Sequence, residues 1–163
     1  MLKYALPIFF AVRPSMVYEL IRSRLSDIVP LNNLLGIKIV SVGDGVAETR
    51  LPFRSEITNH IGSVHAAAIF GLAEAASGGA MSGAFAPVAT SIRPVAASAT
   101  VEFSRIAQTD LVARASTRLA SADLREALQR DGKVVFDVAV TLQDASDAEV
   151  ARVTVSWHVA MKK

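Results

Sequence analysis

Cysteine is absent from the 163 residues. Disulfides, thiolate nucleophiles and cysteine-bound zinc are therefore excluded. Charge is sparse: Asp, Glu, Lys and Arg make up 20% of the chain against 52% hydrophobic residues. A domain this apolar implies surface buried between subunits. The basic residues are scattered, with no block of like charge behind the net +2, which argues against a nucleic-acid partner. His60 and His65 have no clustered carboxylate or third histidine beside them, so no metal site is expected. No internal repeat or low-complexity segment divides the chain, and its length suits a single domain over residues 1–163.

Long hydrophobic runs are also few. Residues 1–12 hold one Lys and a short apolar stretch that faintly resembles a secretory signal. Pro7 interrupts it, and no small-x-small cleavage site precedes Arg13-Pro14. An apolar tail packed on the domain or its partner is expected instead. Between residues 61 and 92 the only Asp, Glu, Lys or Arg is Glu74, but the stretch is dominated by Ala and Gly and also carries His65. It reads as a buried helix rather than a membrane span, and a cytoplasmic location is expected.

Periodicity supplies the elements. Residues 14–29 place Met16, Val17, Leu20, Ile21, Leu25 and Ile28 at amphipathic-helix spacing, with Pro30 as the stop. Residues 35–42 and 46–51 alternate around Gly43-Asp44-Gly45, as a hairpin does. After a polar loop over 52–63, residues 64–81 read as a helix that is small or apolar all round, weakened in its last turn by Ser77, Gly78 and Gly79. Strands are expected over 97–105, 111–119, 133–142 and 149–160, with 122–131 left open between a loop and one or two helical turns. This is an α+β layout. A helix apolar on all sides followed by antiparallel strands packs most simply with the sheet wrapped around it, which is the hotdog arrangement.

Glu74 stands out within that helix. Flanked by Leu72, Ala73, Ala75 and Ala76, its carboxylate has little polar company, and burial would raise its pKa. Such an isolated acid suits a nucleophile or general base toward a bound carbonyl; the plainer alternative is an edge position paired with a Lys or Arg. Upstream, residues 59–68 read Asn-His-Ile-Gly-Ser-Val-His-Ala-Ala-Ala, a polar loop feeding a helix N-terminus. Free N–H groups there, aided by the helix dipole, can hold a developing oxyanion, although Asn59 or Ser63 could equally be an N-cap and His65 a packing residue. Nine residues separate His65 from Glu74, about 13 Å along a helix and on opposite sides of it. If both act on one carbonyl, they come from two copies of the chain.

The spacing Asn59, Gly62, His65, Ala66, Ala67, Leu72, Ala73, Glu74 resembles the hotdog acyl-CoA thioesterases of the phenylacetate-pathway type, and more loosely the likeness runs over residues 33–160. The resemblance implies that Asn59 and His65 orient the thioester, the N–H of Ala66 polarises its carbonyl, and Glu74 acts from the opposing subunit. It implies no cofactor beyond the coenzyme A or other carrier of the substrate, and a homodimer, with two dimers joining. Gly62, Ala67 and His60 would border the substrate. By their own chemistry Arg105 and Arg93 could meet the carrier's phosphates and Ser98 could lend a hydroxyl, the plainer alternatives being solvated surface arginines and an ordinary strand serine. The chain departs from the family in having Ala66-Ala67 for Gly-Gly, Glu for the frequent Asp, and Ile106 for the usual Pro. His60 and Glu74, fourteen apart, also resemble the acyl-carrier dehydratases, without their Pro-rich loop. A non-catalytic acyl-binding module is the remaining alternative.

Overall fold

The computed structural model describes residues 14–162; the expectation for the N-terminal tail lies outside them. Six strands form one antiparallel sheet in the order β1-β2-β4-β5-β6-β3, and the helix α3 (Ala66–Ala84) lies against its inner face. The expected hotdog arrangement is what the chain adopts. Ala68, Leu72, Ala73, Ala76 and Ala80 of α3 are buried against Val138, Val140, Val153 and Val155 of the sheet. No helix among the described residues is long and apolar enough to cross a membrane.

The helix α1 (Pro14–Ile28) ends where expected, but Pro30 opens as well as closes. It is the first residue of α2 (Pro30–Leu35), where a missing N–H costs nothing. Gly36, at φ 75°, ends that turn. The first strand is accordingly shorter than its alternation suggests: β1 is Lys38–Gly43 and pairs with β2 (Val46–Leu51). The strand expected from residue 97 begins five residues earlier, as β3 (Ile92–Phe103). Pro94 hid its start, and Pro is tolerated because β3 is an edge strand. The remaining strands are β4 (Leu111–Thr117), β5 (Lys133–Gln143) and β6 (Glu149–Met161). The open segment between β4 and β5 is a full helix, α4 (Ser121–Asp131), which buries Leu124 and Leu128.

The glycines expected to weaken α3 do not end it; the helix continues to Ala84. Gly79 and, beyond the expected end, Gly83 mark close approach. A Cβ on Gly79 would stand 2.8 Å from the Cβ of Ala47, and one on Gly83 would overlap the carbonyl oxygen of Gly43. Gly83→Ala is therefore expected to lower the free energy of unfolding by about 1–3 kcal/mol, because the backbone on both sides must shift. Gly78, whose nearest neighbour would be the Trp157 ring at 3.7 Å, has room for the methyl. Gly78→Ala should leave stability unchanged or raise it through helix propensity, and denaturant titration of the two variants checks the contrast.

Candidate functional site

The loop entering α3 is built by its own polar groups. Asn59 donates its backbone N–H to the Ser63 carbonyl at 2.8 Å, and Gly62, at φ 73°, returns an N–H to the Asn59 carbonyl at 3.0 Å. The Asn59 side chain closes the same turn: Oδ1 accepts from the N–H groups of Ile61 (3.1 Å) and Ser63 (3.2 Å), and Nδ2 donates to the Ser63 hydroxyl at 2.8 Å. Asn59 is thus the staple of the loop. Its amide oxygen is committed there, which leaves one Nδ2 hydrogen for a substrate.

His65 is the N-cap of α3. Its N–H donates to the Ile57 carbonyl at 2.8 Å, and its Nδ1 accepts the N–H of Ala67 at 3.0 Å. An Nδ1 that accepts leaves the imidazole proton on Nε2, on an exposed side chain. The bond also takes Ala67 out of service as a donor. Ala66 differs: its N–H has no partner among the described residues and the residue is exposed. One free amide therefore stands at the positive end of a 19-residue helix. It opens into a cavity of about 380 Å³, bordered by Asn59, Ser63, Phe103 and Arg105.

Glu74 faces a different cavity. This one, of about 260 Å³, is lined by Leu25 of α1, Val29 at the N-cap of α2, Asn32 of α2, Ile39, Met81 and Trp157. Nothing ties the carboxylate down: desolvation alone accounts for its shift, and it holds the carboxyl above its ordinary pKa. The pairing with Lys or Arg that was the plainer reading is not found among the described residues. The turn behind Glu74 is fixed instead by backbone and neighbours. Its carbonyl accepts from the Ser77 hydroxyl at 2.8 Å, and that hydroxyl accepts from Trp157 Nε1 at 3.2 Å.

Within one chain the two cavities share no lining residue. Asn59, Ala66 and Arg105 belong to the first and Glu74 to the second. Gly62, His60 and Ser98 are exposed and line neither. Arg105 contributes to holding the Asp144 carboxyl below its ordinary range, after the hydrogen bonds from Ser146. Arg93 lies apart, by a third hollow that holds Lys133 and Lys162. Among the described residues no group of His, Asp or Glu is placed to hold a metal. Sequence reasoning missed Asn32, Trp157 and the contribution of α1. No motif marks Asn32, and the other two read as ordinary core or surface positions.

The family model described as "Domain of unknown function (DUF4442)" matches residues 19–159. No curated protein matches. Among solved structures, a Pseudomonas aeruginosa protein described as of unknown function and a "probable thioesterase" is similar at 25% identity. The match covers 88% of this chain and 95% of that one, with a TM-score of 0.75. The Escherichia coli PaaI protein from the phenylacetic acid degradation operon matches at 22% identity over 88% and 94%, with a TM-score of 0.66. A thioesterase family protein from Silicibacter pomeroyi matches at 18% over 89% and 99%, with a TM-score of 0.72. The last two likenesses bear on the fold alone.

Proposed function

The chain belongs to the DUF4442 family, and from that footing we propose that it is a thioesterase acting on an apolar acyl group carried by coenzyme A or a similar carrier. The observation that carries the reading is Glu74. A carboxylate held in a largely apolar cavity with no partner among the described residues, its proton affinity raised by burial, suits a base toward a bound substrate.

The split between the two cavities points to a dimer. Sheet edges that are open invite pairing, and the two edges of this sheet differ. β1 is six residues long, bulged after Ile39, and capped by Arg22, whose guanidinium donates to the Ile39 carbonyl at 3.4 Å. β3 is twelve residues long, and from Arg93 to Phe103 every residue but Val101 is exposed. Pro94, near its start, lines the Glu74 cavity; Phe103, at its end, lines the Ala66 cavity. Antiparallel pairing of β3 with its copy about a two-fold axis sets one end against the other. Each Glu74 cavity then meets the Ala66 of the partner subunit.

The chemistry follows from that assembly. The thioester carbonyl accepts the N–H of Ala66 and the Nε2–H of His65, both of the partner subunit. Glu74 takes a proton from water, whose oxygen forms a bond to the carbonyl carbon. Negative charge builds on the carbonyl oxygen facing the helix N-terminus. Collapse breaks the C–S bond, the sulfur takes the proton from Glu74, and a carboxylic acid and a thiol depart. Arg105, exposed at the rim, is placed for the carrier's phosphates.

The size of the Glu74 cavity, about 260 Å³, bounds the acyl group. A cavity of about 150 Å³ accepts benzene, so an aryl or short apolar acyl group fits here. Incubating the protein with a panel of acyl-CoA esters and a thiol-trapping reagent tests the reading. Thiol release that favours aryl and short acyl groups is the expected result. Binding without release, or hydration of an enoyl ester instead, overturns it.

A further inference from the structure

Asn32 is a buried side chain that the chemistry above leaves unused. It is only 5% exposed. Thr49, Ser63 and Ser77, buried to a similar degree, each have a hydrogen bond: to the Leu72 carbonyl, from Asn59, and to the Glu74 carbonyl. No hydrogen bond to the Asn32 side-chain amide is found among the described residues, and since the enclosed side-chain atom left without a partner there is Arg54 Nε, the Asn32 amide is not sealed away from the cavity. Nor is it needed to hold the backbone. The Asn32 N–H donates to the Val29 carbonyl at 3.1 Å and its carbonyl accepts from Ile37 at 2.8 Å, leaving the side chain uncommitted. Asn32 lines the Glu74 cavity, in which Glu74 is the only titratable lining residue among the described residues and Leu25, Val29, Ile39, Met81 and Trp157 form apolar walls.

We infer that Asn32 is the positioning residue for the attacking water, an inference that rests on the hydrolytic reading of Glu74. A water poised for attack has two hydrogens to place. Glu74 accepts one and takes it as the base; the Oδ1 of Asn32 accepts the other, so that a lone pair of the water is left for the carbonyl carbon. An apolar acyl thioester has no donor to offer that oxygen, whereas water has. Asn32 reaches the cavity from α2, outside the central helix, because Pro30 and Gly36 confine that turn to six residues.

The test pairs two substitutions with two readouts. Asn32→Leu keeps the branched outline and removes both polar atoms; Asn32→Asp adds a second carboxyl to the lining of the Glu74 cavity. In the leucine variant kcat is expected to fall roughly 10²-fold through misplacement of the water, with KM little changed and thermal stability retained or increased. In the aspartate variant, the Glu74 carboxyl signal, followed by NMR with 13C-labelled glutamate and assigned by its loss in Glu74→Gln, should titrate about one unit higher through like-charge repulsion. An asparagine remote from Glu74 would leave the titration in place, and one that merely lines the cavity would leave kcat in place. Full kcat in Asn32→Leu, or a Glu74 titration unmoved in Asn32→Asp, overturns the inference. Wild-type protein that hydrolyses no thioester while the Glu74 titration does shift overturns the hydrolytic reading, and the water's role with it, but leaves the proximity of the two side chains established.

Discussion

Replacing Glu74 with glutamine is expected to lower turnover by about 10²- to 10⁴-fold, the usual share of a general base, while making the fold more stable at neutral pH. The two effects have one origin. Burial raises the folded-state pKa of Glu74 above its ordinary value, so the native protein binds a proton there more tightly than the unfolded chain does. Its favourable contribution is then fully present below the ordinary carboxylate range and is lost as pH rises through the raised folded value. At neutral pH the native state carries an ionised group that its surroundings oppose, and glutamine, which mimics the protonated form, removes that opposition. Melting curves should show the variant ahead of the wild type at neutral pH, with the gap closing toward acid. The acid limb of kcat should likewise fall above the ordinary carboxylate range. A Glu74→Gln protein that is less stable at neutral pH, or that turns over at the wild-type rate, would contradict this account of the site.

Mixing two inactive variants is expected to restore about a quarter of wild-type activity, since a two-fold dimer has two equivalent sites. The first variant is Glu74→Gln. The second is Ala66→Pro, which deletes the candidate oxyanion donor and little else. Ala66 is the first residue of α3, where proline is well tolerated, and His65 before it already has the extended conformation, φ −65° and ψ 140°, that a residue preceding proline requires. Alone, Ala66→Pro should lose about 10²- to 10³-fold in kcat with its fold intact. Co-refolded in equal amounts, half of the dimers are mixed. Each mixed dimer pairs one intact Glu74 with one intact Ala66 across the interface. If carboxylate and amide served the same site from a single chain, mixing would restore nothing, and that outcome would sink the split-site assembly.

Much of this was legible in the sequence, for reasons that differ by residue. Glu74 is visible because a lone charge in an apolar run has no cheap structural explanation, and the opposed placement of His65 follows from helix geometry alone. The strands β2, β5 and β6 were nearly complete because one face of each meets the core and alternation records it. The start of β3 was not, since an exposed edge strand imposes no such pattern and tolerates Arg93 and Pro94. Gly79 read as weakness when it is a contact point, as is Gly83 beyond the expected end of the helix; a glycine's packing partner is nowhere in its own sequence neighbourhood. Asn59 was expected to address the substrate and mainly folds its own loop. Asn32 left no trace, because it reaches the lining of the Glu74 cavity through a turn forty-two positions earlier in the chain.

The unequal treatment of the sheet's two margins has a consequence for how such a protein is governed. Under the split-site assembly proposed above, a single molecule carries both halves of the machinery but cannot bring them together, so output would depend on how often molecules meet. Below the concentration at which pairs dissociate, catalytic rate scales with the square of abundance rather than in proportion to it. Synthesis or dilution alone then acts as a threshold, with no effector site required.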